Sequence, residues 1–256
     1  MNLSAPLRER ALATPAHPAI VFEGATLTYA ELDARADRIA HALHAQGVRA
    51  GDRVALFLPN VPDFAACYYA AQRVGAITVS INAIFKSAEV EYLLNDSGAT
   101  VVFTLGELAA SVPHAACPAL RHRVVCDAAP CTASGGAASL DDWLAAVPSD
   151  AGPFAAVPRR SDDAASLLYS SGTTGFPKGV TLTQENIATN VATAAAASGY
   201  RADDRLALFL PLFHVYGQNY ILNGAVHAGA TVVMFRRFLP DVVLDAIQRE
   251  RITMFF

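Results

Sequence analysis

The sequence predicts an α/β fold in which mainly parallel sheets are covered by helices. Apolar strand-like runs alternate with helix-like segments along most of the chain, as expected when helices connect parallel strands. Several runs are continuously apolar, which is typical of strands buried on both faces. One of them leads into a loop rich in Ser, Thr and Gly, and α/β sheets bind ligands at the carboxyl ends of their strands.

The chain begins with a predicted hairpin, because "PAIVFEGATLTY" places two short apolar runs around Glu23-Gly24. Thr28 stands three residues before Glu31, which is the spacing of a capping box and predicts the start of a helix that ends at Gly47. The residues expected on the buried face of this helix are Leu32, Ala36, Ile39, Ala40 and Leu43.

The next part of the chain predicts further βα units. The expected strands are "DRVALFL", "AITVSI", "ATVVFT" and "RVVC", and the expected helices are "VPDFAACYYAAQRVG", "SAEVEYLLNDSG" and "LDDWLAAV". Residues 148–163 then carry three prolines and clustered charges, which indicates a connecting segment. We therefore expect two adjoining α/β lobes, 1–147 and 164–256.

The second lobe should start with the strand "AASLLY", followed by the polar loop, the strand "GVTL" and a helix capped by Thr183. The remaining predictions are the strand "RLALFL", the turn "PLFHVYGQ", the helix "NYILNGAVHAG", the strand "ATVVMF", the helix "PDVVLDAIQRER" and a final strand "ITMFF". Because the backbone of a buried strand needs paired neighbours, a chain that stops there is expected to be incomplete at its C-terminus.

The composition excludes several classes of protein. With 53% hydrophobic and 16% charged residues the chain is not disordered, and with a net charge of −4 and scattered arginines it is not expected to bind nucleic acid. No apolar run reaches the roughly 18–20 residues of a membrane-spanning helix, and the first residues lack the apolar core of a signal peptide. We therefore expect a cytoplasmic protein; its oligomeric state is not predicted.

A group of His and Cys residues raises the alternative of a zinc site. Its spacings fit no common zinc pattern, so we expect reduced thiols and no metal there. The residues are His114, Cys117, His122, Cys126 and Cys131.

The polar loop lies in "LLYSSGTTGFPKGVTLTQENI", residues 167–187, and holds one of only two lysines, Lys178. Glycines allow tight turns whose backbone N–H groups bind anions, and Pro177 restricts the backbone just before the lysine. The stretch therefore predicts a phosphate site. The hydroxyls are those of Ser170, Ser171, Thr173 and Thr174, and the glycines are Gly172, Gly175 and Gly179.

The loop is not one of the common nucleotide loops. A Walker A loop needs Gly before the lysine and Ser or Thr after it, where this chain has Pro177 and Gly179. The G-x-G-x-x-G and G-x-S-x-G patterns do not fit either. The alternative is a surface turn with an incidental lysine; buried strands on both sides and Pro177 argue against it.

"YSSGTTGFPKGVTLTQENI" resembles the phosphate loop of the adenylate-forming superfamily, the AMP-dependent synthetases and ligases. "LPLFHVYGQ" resembles the second motif of that family, which lies against the acyl and adenylate pocket. "LTYAELDARADRIAHAL" and "GDRVALFLPNVPDF" resemble its N-terminal stretches. The resemblance covers nearly the whole chain and is strongest to bacterial fatty-acyl-CoA synthetases.

The resemblance implies a two-step ligase. A carboxylate attacks the α-phosphorus of ATP, and CoA or a carrier protein then takes the acyl group. A fatty acid is the first candidate for the carboxylate, and an aryl acid is the second. By the same resemblance, Ser170 to Gly175 (Ser170, Ser171, Gly172, Thr173, Thr174, Gly175) cradle the β- and γ-phosphates, with Ser170, or second Ser171, nearest Mg²⁺. Lys178 assists the phosphates, while His214, Tyr216 and Gly217 line the acyl pocket.

Position alone favours other interpretations of two residues. His214 follows a strand, where an ordinary core histidine is the commoner case, and only the motif reverses this interpretation. Lys86 has no motif around it and is expected to be a solvated surface residue.

Other motifs of the family are absent from the sequence. These are Tyr-Gly-x-Thr-Glu, a ribose-binding aspartate, and a mobile domain with a catalytic lysine; the only Tyr-Gly, Tyr216-Gly217, belongs to the second motif. The chain thus looks like the N-terminal portion of a ligase and is not expected to be competent alone. The alternative is a nucleotide- or acyl-binding module without turnover.

Overall fold

The computed structural model describes residues 1–127, 137–170 and 177–256. Its strands are β1 (Pro18–Phe22), β2 (Ala25–Thr28), β3 (Arg53–Phe57), β4 (Ile77–Ser80), β5 (Val101–Thr104), β6 (His122–Val125), β7 (Ala138–Ser139), β8 (Ala164–Ser170), β9 (Lys178–Thr183), β10 (Arg205–Leu208) and β11 (Thr231–Met234). Its helices are α1 (Ala5–Ala13), α2 (Tyr29–Ala45), α3 (Pro62–Arg73), α4 (Ser87–Ser97), α5 (Gly106–Ala109), α6 (Leu140–Ala145), α7 (Gln184–Ala197), α8 (Gly224–Ala228) and α9 (Pro240–Arg249). A 3₁₀ turn spans His114–Ala116, and a π-helix spans Tyr216–Asn223.

The strands form two sheets, which confirms the predicted α/β fold with mainly parallel sheets. The larger sheet has the order β7-β6-β5-β3-β4-β8-β9 and the smaller one the order β10-β11-β1-β2. Among the strands in the described parts of the chain, only β8 with β9 and β1 with β2 pair antiparallel. Every parallel pair in a sheet points its carboxyl ends to the same edge, which is the edge that matters for ligand binding.

The strands pair across the lobe boundary expected at residues 148–163. In the larger sheet β8 pairs with β4, and in the smaller sheet β1 pairs with β11. The expected connecting segment does lack helices and strands. Each sheet therefore contains strands from both sides of the expected boundary. Local composition could not predict this, because strand pairing depends on neighbours in space.

The predicted hairpin and the predicted start of α2 are confirmed in detail. Glu23 and Gly24 have φ values of 50° and 83°, as a tight hairpin turn between β1 and β2 requires. Thr28 and Glu31 form the reciprocal hydrogen bonds of a capping box at the start of α2. The five residues expected on the buried face of α2 are all fully buried.

Several elements differ from expectation, among them the short α5 and β7, which were not predicted. Helix α1 was not predicted, and its weak apolar pattern explains why. The segment "ITMFF" makes only one parallel bridge, between Met254 and Leu206, and no strand. The predicted helix after "PLFHVYGQ" is a π-helix that continues into α8, a distinction that a periodic pattern does not reveal.

A buried ion cluster joins three helices. Arg73 of α3 is 1% exposed and forms ion pairs with Asp33 and Asp37 of α2. Arg8 of α1 contacts the same two carboxylates, at 2.8 Å to Asp33 and 2.5 Å to Asp37. Because buried charges are tolerated only when they are paired, this cluster fixes the packing of α1, α2 and α3.

Among the described residues, no helix is both long enough and apolar enough to cross a membrane.

Replacing Arg73 by Ala should destabilise the fold by about 3–5 kcal/mol, because the two buried carboxylates lose one of the two arginines that pair with them and keep Arg8. Urea unfolding measures the change in the free energy of unfolding. Arg160→Ala is the control, since it breaks a fully exposed pair with Asp162 and should leave the midpoint unchanged. Equal midpoints for both variants would refute a structural role for the cluster.

Candidate active site

The β8–β9 hairpin brings two predicted phosphate-binding residues together. Ser170 is the last residue of β8, Lys178 is the first of β9, and the two are register partners in the antiparallel pair. Both are exposed. Because β8 runs parallel to β4, this pair lies at the carboxyl edge of the larger sheet, as predicted. The other predicted loop residues lie outside the described part of the chain: Ser171, Gly172, Thr173, Thr174 and Gly175.

Strand β9 corrects one expectation. The loop was expected to lie between two buried strands, but β9 is the edge strand of the sheet and its Val180 is 47% exposed. A short apolar and β-branched run such as "GVTL" is compatible with either position, so the sequence could not distinguish them. Lys178 therefore projects from an edge strand.

The second motif reaches the same edge through one buried hydrogen bond. Gln218, in the π-helix, donates from Nε2 to the hydroxyl of Ser80 at 2.8 Å. Ser80 ends β4 and is the register partner of Leu168 in β8, two residues before Ser170. The chain after β10, which belongs to the smaller sheet, is thereby attached beside the hairpin of the larger sheet.

Asn60 fixes the relation between the two sheets at this end. It follows β3, and its Nδ2 donates to the carbonyl oxygens of Leu210 at 3.0 Å and Phe235 at 3.2 Å. Its Oδ1 accepts from the backbone N–H of Leu212 at 2.9 Å. One buried amide thus joins the loops that follow β3, β10 and β11.

His214 is exposed, so it is not the core histidine that its position alone would suggest. Its backbone N–H donates to the Pro211 carbonyl at 3.1 Å, and its Nδ1 accepts from the backbone N–H of Tyr216 at 3.2 Å. In the neutral ring Nε2 then carries the hydrogen and can donate to an anionic oxygen.

Tyr216 forms an aromatic wall beside His214. Its ring stacks on Tyr220 with centroids 4.6 Å apart and an angle of 25° between the planes, and it meets Phe256 edge-on at 6.2 Å. Burial, and then the neighbouring Tyr220, raise the pKa of Tyr216, so its hydroxyl stays protonated at neutral pH. The wall therefore offers an apolar, uncharged surface.

Gly217 is required by a close approach of two backbone segments. A Cβ atom at this position would lie 2.4 Å from the carbonyl oxygen of Pro211 and 2.8 Å from that of Leu210. Any larger residue would push the π-helix away from the turn that carries His214. Gly217 thus shapes the wall without contributing a side chain to it.

The described residues supply few metal ligands. Among them, no group of three or more His, Cys, Asp or Glu could hold a metal ion. The exposed Ser170 hydroxyl offers one oxygen, and Mg²⁺ commonly binds nucleotide phosphates with only one or two protein ligands. These residues therefore fit a Mg²⁺ ion that arrives with a nucleotide. Of the considered zinc ligands, Cys117 and Cys126 are buried free thiols, and Cys131 lies outside the described residues.

The sequence reasoning missed Asn60 and Gln218. Both lie within segments that carried the family resemblance, "GDRVALFLPNVPDF" and "LPLFHVYGQ". A polar residue inside a mostly apolar motif was the one signal in the sequence that could have identified them. Their partners are backbone groups or a serine more than 100 residues away, and such partners leave no local pattern.

Comparison with known proteins shows the family of this chain. The family model described as AMP-binding enzyme matches residues 7–256. A feruloyl-CoA synthase from Amycolatopsis sp is 34% identical over 96% of this chain and 46% of its own length. The long-chain-fatty-acid–CoA ligase FadD13 from Mycobacterium tuberculosis is 35% identical over 98% of this chain and 48% of its own.

Solved structures show the same fold. An anthranilate CoA ligase, AuaEII, in complex with anthranoyl-AMP has a TM-score of 0.90 at 27% identity, with 100% of this chain and 49% of that chain covered. The N-terminal domain of FACL13 from Mycobacterium tuberculosis has a TM-score of 0.80 at 31% identity, with 100% and 62% covered. The chain spans about half the length of the curated relatives it matches.

Replacing Gly217 by Ala should destabilise the protein by about 1–3 kcal/mol, because the new methyl group meets rigid backbone. Thermal and urea unfolding measure the loss. Gly152→Ala is the control, since a Cβ there meets nothing within 4 Å. A Gly217→Ala protein as stable as the control would show that the turn and the π-helix are not tightly packed.

Proposed function

The chain belongs to the AMP-binding enzyme family, and we propose that it forms the N-terminal, ATP-binding portion of an acid–thiol ligase. One observation carries the proposal: the two motif segments meet at one sheet edge. Ser170 and Lys178 are register partners there, and the Gln218–Ser80 bond joins the π-helix that follows the His214 turn to β4, the neighbour of β8. We propose that the hairpin residues bind phosphate and that the turn with His214 and Tyr216 forms the carboxylate-binding wall.

The proposed chemistry has two steps. A carboxylate oxygen attacks the α-phosphorus of ATP, the bond to the bridging oxygen breaks, and pyrophosphate leaves with the acyl-adenylate remaining. A thiol, that of CoA or a carrier protein, then attacks the acyl carbon and AMP leaves. Both substrates of the first step are anions, so the site must hold them together against their repulsion.

Each residue has a proposed role in this first step. The ammonium group of Lys178 and the hydroxyl of Ser170 stabilise the charge on the β- and γ-phosphates. Bound Mg²⁺ would neutralise part of the same phosphate charge. The Nε2–H of His214 orients the carboxylate, and Tyr216 keeps water from the apolar side of the substrate. The residues 171–175 are proposed to complete the phosphate site.

We propose a fatty acid as the first candidate substrate and an aryl acid as the second. The names of the relatives include both classes, a long-chain-fatty-acid–CoA ligase and a feruloyl-CoA synthase. The stacked rings of Tyr216 and Tyr220 provide a flat apolar surface that suits either. CoA is the first candidate acceptor and a carrier protein the second.

Lys178→Ala should weaken Mg·ATP binding by this chain about 10-fold or more, because it removes a charge-assisted hydrogen bond to phosphate. Calorimetric titration measures the dissociation constant. Lys86→Ala is the matched control, since it removes the only other lysine, also exposed, from the start of α4. Equal affinities of the two variants would remove Lys178 from the phosphate site.

The chain alone should form no measurable acyl-CoA from a fatty acid, ATP and CoA. The resemblance assigns the ribose-binding aspartate and a catalytic lysine to motifs that this sequence lacks. Release of pyrophosphate that depends on the fatty acid and is lost in Lys178→Ala would contradict this expectation. Mg·ATP binding without turnover is the expected result for this chain, and the alternative of a nucleotide-binding module predicts the same outcome.

A further inference from the structure

Helix α4 holds the β8–β9 hairpin by two hydrogen bonds. The hydroxyl of Tyr92 donates to the carbonyl oxygen of Pro177 at 3.0 Å, one residue before Lys178. The hydroxyl of Tyr169, one residue before Ser170, donates to Oδ2 of Asp96 at 2.6 Å. Both strands of the hairpin are thus attached to α4, each one residue away from a residue proposed to contact phosphate.

Apolar packing fixes these tyrosines. Tyr92 and Tyr169 are partly buried against a core cluster that includes Val90 and Leu94 of α4. Gly179 is the register partner of Tyr169, and a Cβ on it would lie 3.3 Å from Cζ of that ring. The ring of Tyr169 therefore packs against Gly179 of the neighbouring strand. This contact is on the face of the hairpin that packs against α4.

The side chain of Lys178 belongs to the other face of the strand. Lys178 and Leu182 are four residues apart, so they share a face of β9, and Leu182 packs against Ala165 and Ile187. Gly179 belongs to the face turned towards Leu167 and Tyr169. Helix α4 thus acts on the backbone that carries the lysine and leaves its side chain available to a ligand.

The bond from Tyr92 restrains the one backbone angle that proline leaves variable. The ring of Pro177 fixes φ, whereas ψ sets the direction of its carbonyl group and of the peptide N–H of Lys178. A hydrogen bond to that carbonyl oxygen restricts ψ. Proline and Tyr92 together define where the chain of Lys178 starts.

We infer that Tyr92 is a positioning residue that fixes the peptide group before Lys178 and so directs the ammonium group towards bound phosphate. The second half of this statement rests on the proposed function; the first half stands on the hydrogen bond and the packing alone. Tyr92 acts through Lys178 and contacts no reacting atom in this role.

The two lysines make a direct test available. Endoproteinase Lys-C cleaves after lysine, so this chain offers it only Lys86–Ser87 and Lys178–Gly179. Lys86 lies at the start of α4, the helix that carries Tyr92, and its cleavage therefore reports any general loosening of that helix. The ratio of the two cleavage rates reports the backbone at Lys178 specifically.

Tyr92→Phe should speed cleavage after Lys178 about threefold to tenfold and leave cleavage after Lys86 unchanged, because the hydrogen bond to the Pro177 carbonyl is lost and the ring stays. The control is Asn95→Ala, which removes a 3.0 Å bond from α4 to the carbonyl of Ala116 and should not change the ratio. An unchanged ratio in Tyr92→Phe would overturn the inference. Parallel acceleration at both lysines would overturn it as well, since it would show a merely structural role.

Calorimetric titration with Mg·ATP tests the link to phosphate. Tyr92→Phe should weaken binding about threefold, and adding it to Lys178→Ala should weaken binding no further, because both changes act through one ammonium group. Additive losses would overturn the positioning role. If Lys178→Ala itself binds Mg·ATP normally, the proposed function fails while the proteolysis result still decides the role of Tyr92 at the backbone.

Discussion

The side-chain amide of Asn60 is the constraint on which the arrangement of the candidate site depends. It satisfies three backbone groups that belong to the loops after β10 and β11, while it is itself carried by the loop after β3. A buried amide has strict directional requirements, and an unpaired one is costly. The carboxyl ends of the two sheets can therefore meet in essentially one relative position. Gln218 and Ser80 then join the second motif to the phosphate hairpin within that frame.

Much of the fold could be predicted because local patterns determine it. The turn at Glu23-Gly24, the capping box of Thr28 and the buried face of α2 all follow from residues within a few positions of one another. The pairing of β8 with β4, the edge position of β9 and the π-helix could not be predicted, since each depends on distant partners. The candidate site shows the same division. Its motifs could be recognised in the sequence, whereas the polar residues that bring the motifs together have no local pattern.

The antiparallel turn of the hairpin distinguishes this site from nucleotide loops that lead into a helix. In those loops backbone N–H groups at a helix N-terminus provide much of the positive potential. Here the chain returns along the sheet, so Lys178 starts from a strand and its direction depends on how that strand is supported. The contacts of α4 with Pro177 and Tyr169 supply that support from outside the hairpin.

The parallel pair of β1 and β11 has a consequence for biosynthesis. Ile20 pairs with Val232, so β1, which pairs with β2 on one side, meets the strand on its other side only after roughly 210 further residues have been made. At ribosomal rates of about 5–20 residues per second this interval lasts roughly 10–40 s. During it, the hairpin of β1 and β2 has an unpaired apolar edge, which is the kind of surface that chaperones shield and that promotes aggregation. The smaller sheet is thus a late-forming part of the molecule although its first strands emerge earliest.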